Sequence, residues 1–147
     1  MLAPVLAALA SGCGIITGLD KNGMDDMVEQ RRQWEALRLR SYEYVIRHDC
    51  ACYLGYREVR VVVRNAIRDS IVVLDTGESV PDNGMASLNG VPGLFEALRQ
   101  AYMRRAADVD VVYDETWHYP RAAYIDEAEY YRHDNRRWYV VSFTPAR

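Results

Sequence analysis

Residues 41–52 read Ser41-Tyr42-Glu43-Tyr44-Val45-Ile46-Arg47-His48-Asp49-Cys50-Ala51-Cys52. Tyr42, Tyr44 and Ile46 alternate with Glu43 and Arg47, and a period of two puts the large apolar groups on one face of a strand and the charges on the other. Such a strand needs one covered and one open side, which an antiparallel sheet lying against a core provides. Downstream, residues 58–65 and 69–74 are dense in valine, whose branched side chain suits a pleated surface. The short link near Asn65-Ala66-Ile67 predicts a tight hairpin turn between them. Upstream, Met24, Met27, Val28, Trp34, Ala36 and Leu37 recur at helical spacing over residues 24–39. Asp25 and Asp26 put negative charge on the first turn of that helix, where its dipole favours it.

The second half repeats this order. Residues 76–90 are rich in Gly, Pro, Asp, Asn and Ser and read as a surface loop. Pro92 suits the first turn of a helix, and Leu94, Phe95, Leu98, Ala101 and Tyr102 follow at helical spacing. Residues 109–113, 121–125 and 138–143 then read as strands, the last with a clear period of two. Helix and three strands therefore occur twice, which raises the expectation of tandem α-β-β-β units. The simplest architecture is α+β: a mostly antiparallel sheet with two helices on one face, because hairpin-linked strands pair with their neighbours and the helices must bury an apolar stripe.

A chain of 147 residues fits one domain, and half its residues are apolar, which is enough to build a core. Eighteen basic and 21 acidic residues leave a formal charge of −3, with the arginines scattered among acids. A nucleic-acid partner would demand clustered positive charge, so that class is set aside.

Residues 1–10 are almost wholly apolar and lead into Ser11-Gly12-Cys13. An export signal needs an apolar run of about 7–15 residues followed by small side chains, whereas a membrane span needs about 20. Ala10-Ser11-Gly12-Cys13 resembles a bacterial lipobox, though with Ala10 where leucine is usual, and makes Cys13 the lipidated residue; the alternative is a buried N-terminal helix or strand with an ordinary core cysteine. No basic residue precedes the apolar run, which suggests a natural start upstream of Met1. The expected organisation is a signal segment over 1–12, an anchor cysteine and flexible tether over 13–23, and a single α+β domain over 24–147. The expected address is the extracytoplasmic side of a bacterial membrane, where nearby cysteines tend to be oxidised.

Three groups of residues could carry chemistry. His48, Cys50 and Cys52 alternate, so an unbroken strand would present all three on one face. A Cys50–Cys52 disulfide, a soft-metal site made of His48, Cys50 and Cys52, and a pair of free thiols all remain open, the metal site lacking a fourth ligand. Asp114, Glu115, His118, Tyr119 and Asp126 hold acid–base groups, but their spacing favours a turn stabilised by Asp and Pro. Tyr113, Trp117, Tyr119, Tyr124, Tyr130 and Tyr131 crowd the last third of the chain. They either form an exposed contact face or line the core.

Trp34, Tyr42-Glu43-Tyr44, Cys50-Ala51-Cys52, the valine-rich strand, Leu94-Phe95, residues 109–114, Tyr119-Pro120 and Asp126, in that order, resemble the uncharacterised bacterial family called domain of unknown function 6174. The resemblance spans residues 34–143 and implies a small secreted protein or lipoprotein, with no activity to carry over. The family pattern usually has a glycine before the tyrosine-proline pair, where this chain has His118. No phosphate loop, nucleophile elbow, zinc knuckle or Ser/His/Asp series stands out. The expectation is thus a non-enzymatic, membrane-anchored domain of the cell envelope, without a cofactor. It would meet an envelope protein or the cell wall through an aromatic sheet face or the loop at 76–90. The alternative is a metal- or redox-handling lipoprotein centred on Cys50 and Cys52.

Overall fold

The computed structural model describes residues 19–81, 86–128 and 135–146. Cys13, Tyr130 and Tyr131, together with the signal segment, lie outside the described residues. The first helix, α1, runs Leu19–Ala36 and so begins within the stretch expected to be a tether. A reason for the early start lies at Gly23, where a β-carbon would stand 2.7 Å from the Tyr102 hydroxyl, so the missing side chain allows close packing. α1 buries Met27 and Trp34, two helical turns apart, and ends where Arg38 turns left-handed at φ 52°.

Strands β1 (Tyr42–Asp49), β2 (Glu58–Arg64) and β3 (Ile67–Val73) form an antiparallel meander. The β2–β3 turn has Asn65 and Ala66 at φ 52° and 67°, the paired left-handed conformation whose twist suits a two-residue hairpin. A 3₁₀ turn, Ala86–Leu88, precedes helix α2 (Val91–Met103). Strands β4 (Asp108–Tyr113), β5 (Pro120–Asp126) and β6 (Arg136–Pro145) make the second meander. The described part of the 76–90 loop is less free than its composition suggests. Ser79 bridges to Val72, and Val80 and Leu88 are buried.

The two meanders join through antiparallel β1–β6 pairing into one six-stranded sheet of order β3-β2-β1-β6-β5-β4. The order of elements repeats as expected. The joint is not symmetric, however, because a two-fold axis between tandem units would bring equivalent strands together, and here the first strand of one unit meets the last strand of the other. At this joint β6 carries a bulge: Val45 pairs with Ser142 and Ile46 with Val140, leaving Val141 over. The extra residue reverses the inward parity of the strand. Trp138 and Val140 face the core below the bulge, and Phe143 packs against it above.

One core cluster holds Met27 and Trp34 of α1, Leu94, Phe95, Leu98 and Ala101 of α2, and the alternate buried residues of the strands, Tyr42, Tyr44 and Ile46 among them. The start of α2 has no side-chain cap of its own. Tyr42, 49 residues away, supplies one: its buried hydroxyl accepts the Val91 N–H at 3.0 Å. Gly90 permits this approach. Its φ is 76°, and a β-carbon there would lie 2.6 Å from the Tyr42 hydroxyl oxygen.

Candidate functional site

β1 ends at Asp49, and the chain folds back over residues 50–57 instead of continuing as a strand. The reversal is held by the Tyr56 N–H donating to the His48 carbonyl at 2.6 Å and the Gly55 N–H donating to the Cys52 carbonyl at 2.9 Å. Leu54, 2% exposed, anchors it to the core. Only glycine fits position 55, because a β-carbon would fall 1.9 Å from the Cys50 carbonyl oxygen. Within this loop the Cys50 and Cys52 sulfurs stand at disulfide distance, 1.96 Å. The strand that was expected to align His48, Cys50 and Cys52 therefore stops before the cysteines. Among the described residues no cluster of three His, Cys, Asp or Glu side chains is placed to hold a metal ion. Sulfurs bonded to each other are not thiolate ligands, so this arrangement does not make the three residues a metal site.

His48, Cys50 and Cys52 do border one groove of about 460 Å³, whose apolar lining includes Leu54, Leu88, Ala97 and Trp138. Its charged residues are Glu127 and Arg136. Glu127 accepts from Arg104 at 2.7 Å and also pairs with Arg136. The Arg104 hydrogen bond, followed by the charges of both arginines, holds the Glu127 carboxyl below the usual carboxylate range. His48 lies beside Trp138, with ring centroids 6.3 Å apart. Burial, reinforced by the Arg136 charge and opposed by Asp49, lowers its pKa to about 4, so the imidazole is neutral at neutral pH. Beyond the cysteines stand Tyr53 and Tyr56, 61% and 70% exposed, the exposed aromatic side chains among the described residues.

The aromatic residues of the last third do not form one exposed face. Tyr119 is buried and stacks on Phe143 at 4.8 Å, and Trp117 lies 5.9 Å from the same ring. Tyr113 stacks on Phe95, and its hydroxyl is buried without a hydrogen-bond partner. Among the described residues Tyr124 and Tyr139 turn to the other side of the sheet, where Arg137 covers the Tyr124 ring at 5.0 Å and Arg47 the Tyr139 ring at 5.4 Å. The reason is cooperative packing. Trp34, Tyr42, Trp117 and Tyr119 all surround Phe143, which the β6 bulge turns inward.

Asp114 acts as a turn former. Its carboxylate accepts the N–H groups of Thr116 at 3.0 Å and Trp117 at 2.8 Å, while Asp126 lies at the far end of the hairpin opposite Asp108. His118 occupies the left-handed region at φ 59°, and its Nδ1 lies 3.1 Å from the Gln30 side-chain oxygen. That backbone conformation gives a physical reason for glycine at this position. No helix among the described residues is long and apolar enough to cross a membrane.

The profile of the family of unknown function DUF6174 matches residues 26–145. The chain belongs to this family. The DUF6174 match runs from the middle of α1 through the whole sheet and so takes in the groove and the Cys50–Cys52 loop. No curated protein matches the chain. Reading the sequence missed Leu54, Leu88, Ala97, Glu127 and Arg136 as groove residues. The available signal was an apolar leucine within each of two turn-rich segments, Leu54 after the cysteines and Leu88 before α2.

Proposed function

We propose that this DUF6174 chain is a non-enzymatic domain of the bacterial cell envelope, held to the membrane by a lipid on Cys13, and that it binds a partner protein at the groove beside the Cys50–Cys52 loop. In this reading both helices lie on one face of the sheet, and the opposite face, with its Arg47–Tyr139 and Arg137–Tyr124 stacks, is a solvated surface. The observation that carries the proposal is the placement of Tyr53 and Tyr56. These two exposed rings stand on the loop whose cysteines border a groove with an apolar lining. Tyrosine offers large contact area at small entropic cost, and an apolar concavity with a few polar groups is the usual form of a recognition site. The pairing of Glu127 with two arginines supports binding over catalysis, since the groove's carboxylate is already engaged. The apolar run ending in Ala10-Ser11-Gly12-Cys13 supports the anchor.

The test places a photo-cross-linking amino acid at Ser87, on the groove, in cells expressing the full chain. A discrete protein adduct is expected, lost when Tyr53 and Tyr56 are both replaced by alanine. The same probe at Val141, exposed on the β6 bulge, should give none. Equal adducts at both positions would overturn the proposal.

A further inference from the structure

We infer that Cys50 and Cys52 form a thiol–disulfide exchange site that takes electrons, one pair per chain, from a dithiol protein, a stoichiometric redox step that goes beyond the binding role proposed above and shares the groove with it. Exposure comes first. Cys52 is open to solvent and Cys50 half-buried, so an incoming thiolate has access to one sulfur more than the other. Exposed disulfides are the labile ones, whereas buried structural bridges resist exchange.

The second observation is that the loop does not depend on the bridge for its shape. The Tyr56–His48 and Gly55–Cys52 backbone hydrogen bonds close it, Leu54 fixes it to the core, and Gly55 lets the backbone pack onto the Cys50 carbonyl. A bond linking residues two apart also restricts the unfolded chain little, because the entropy of loop closure grows with loop length. Opening the bridge therefore leaves a folded platform with both sulfurs in place. Tyr53 and Tyr56, exposed on the same loop, add contact area for a protein partner.

The reaction runs in two displacements. A thiolate of the partner attacks Cys52 Sγ, forming a mixed disulfide, and the Cys50–Cys52 bond breaks with its electron pair on Cys50, which takes up a proton. The partner's second thiolate then attacks the partner sulfur of the mixed disulfide, and Cys52 leaves and is protonated. The partner dithiol is oxidised to a disulfide and the Cys50–Cys52 pair is reduced to two thiols, with two electrons and two protons transferred.

The experiment uses the full chain carrying Cys13→Ser, so that the only thiols are those of interest, in a native glutathione redox buffer with alkylation to count free thiols. The expected result is reversible reduction of the folded chain, with the unfolding midpoint changed by only a few degrees. In single variants, Cys50→Ser should leave a Cys52 thiol that forms the mixed disulfide with oxidised glutathione at least about ten-fold faster than the Cys50 thiol of Cys52→Ser, following their accessibility. A bridge that reduces only when the chain is unfolded, or loss of the fold on reduction, would overturn the inference. So would a Cys50 thiol that reacts as fast as Cys52. The wild-type reduction remains decisive if either variant fails to fold.

Discussion

The Tyr42 hydroxyl on β1 accepts the N–H of Val91 at the first turn of α2, at 3.0 Å, tying the first strand of one meander to the helix that opens the other. Both partners are buried, so the N–H has no water to turn to if the hydroxyl is removed. Tyr42→Phe should lower stability by about 1–2 kcal/mol, the cost of an unsatisfied buried donor at a helix start. Gly90→Ala should cost more, roughly 2–4 kcal/mol, because it adds left-handed strain to a clash with the same oxygen. Urea unfolding with an unchanged denaturant slope would measure both.

Ala66 sits at φ 67° in a two-residue turn that prefers asparagine followed by glycine. Ala66→Gly should therefore stabilise the domain by about 0.5–1 kcal/mol, since relief of left-handed strain exceeds the added freedom of the unfolded chain. A thermal midpoint that falls would show that the turn tolerates alanine without strain.

His48 gives the domain a pH dependence of definite sign. Its folded pKa of about 4 lies below the ordinary 6.5, so as pH falls the unfolded chain binds the proton first. The stabilisation is whole above pH 6.5 and is lost as pH drops toward 4, by at most about 3 kcal/mol. Glu29 and Glu96, each paired with an arginine and with pKa near 2, lose their contribution only below the usual carboxylate range. The interval between pH 6.5 and 4.5 thus carries the His48 contribution and lies above the range in which Glu29 and Glu96 lose theirs. In His48→Gln, the fall in stability across it should be smaller than in the wild type, as read by denaturant midpoints at each pH.

The meanders were legible in the sequence because their information is local. Tyr42, Tyr44 and Ile46 announce β1, and Leu94, Phe95 and Leu98 announce α2. The joint between β1 and β6 was not legible, since no local pattern says which strand of the second unit meets the first. The bulge at Val141 was hidden for the same reason, and it reverses the parity by which Phe143 would have been read as outward. That reversal also decides Trp117 and Tyr119, which turn inward to meet Phe143. The groove was hidden because its lining comes from β1, the cysteine loop, the 3₁₀ turn, α2, the β5–β6 link and β6, six segments brought together only by the fold.

If the proposed anchor is on Cys13, labelling cells with a clickable fatty acid should mark the wild-type chain and leave Cys13→Ser unmarked. Equal labelling would remove the anchor from the account.

The most direct measurement blocks the groove. Ala97, half-buried on α2, faces it, and Ala97→Trp should fill much of the space without touching Tyr53 or Tyr56. With the cross-linker at Ser87 in intact cells, Ala97→Trp should abolish the partner adduct while the purified chain keeps a cooperative unfolding transition. An adduct of undiminished yield from a folded Ala97→Trp chain would contradict it.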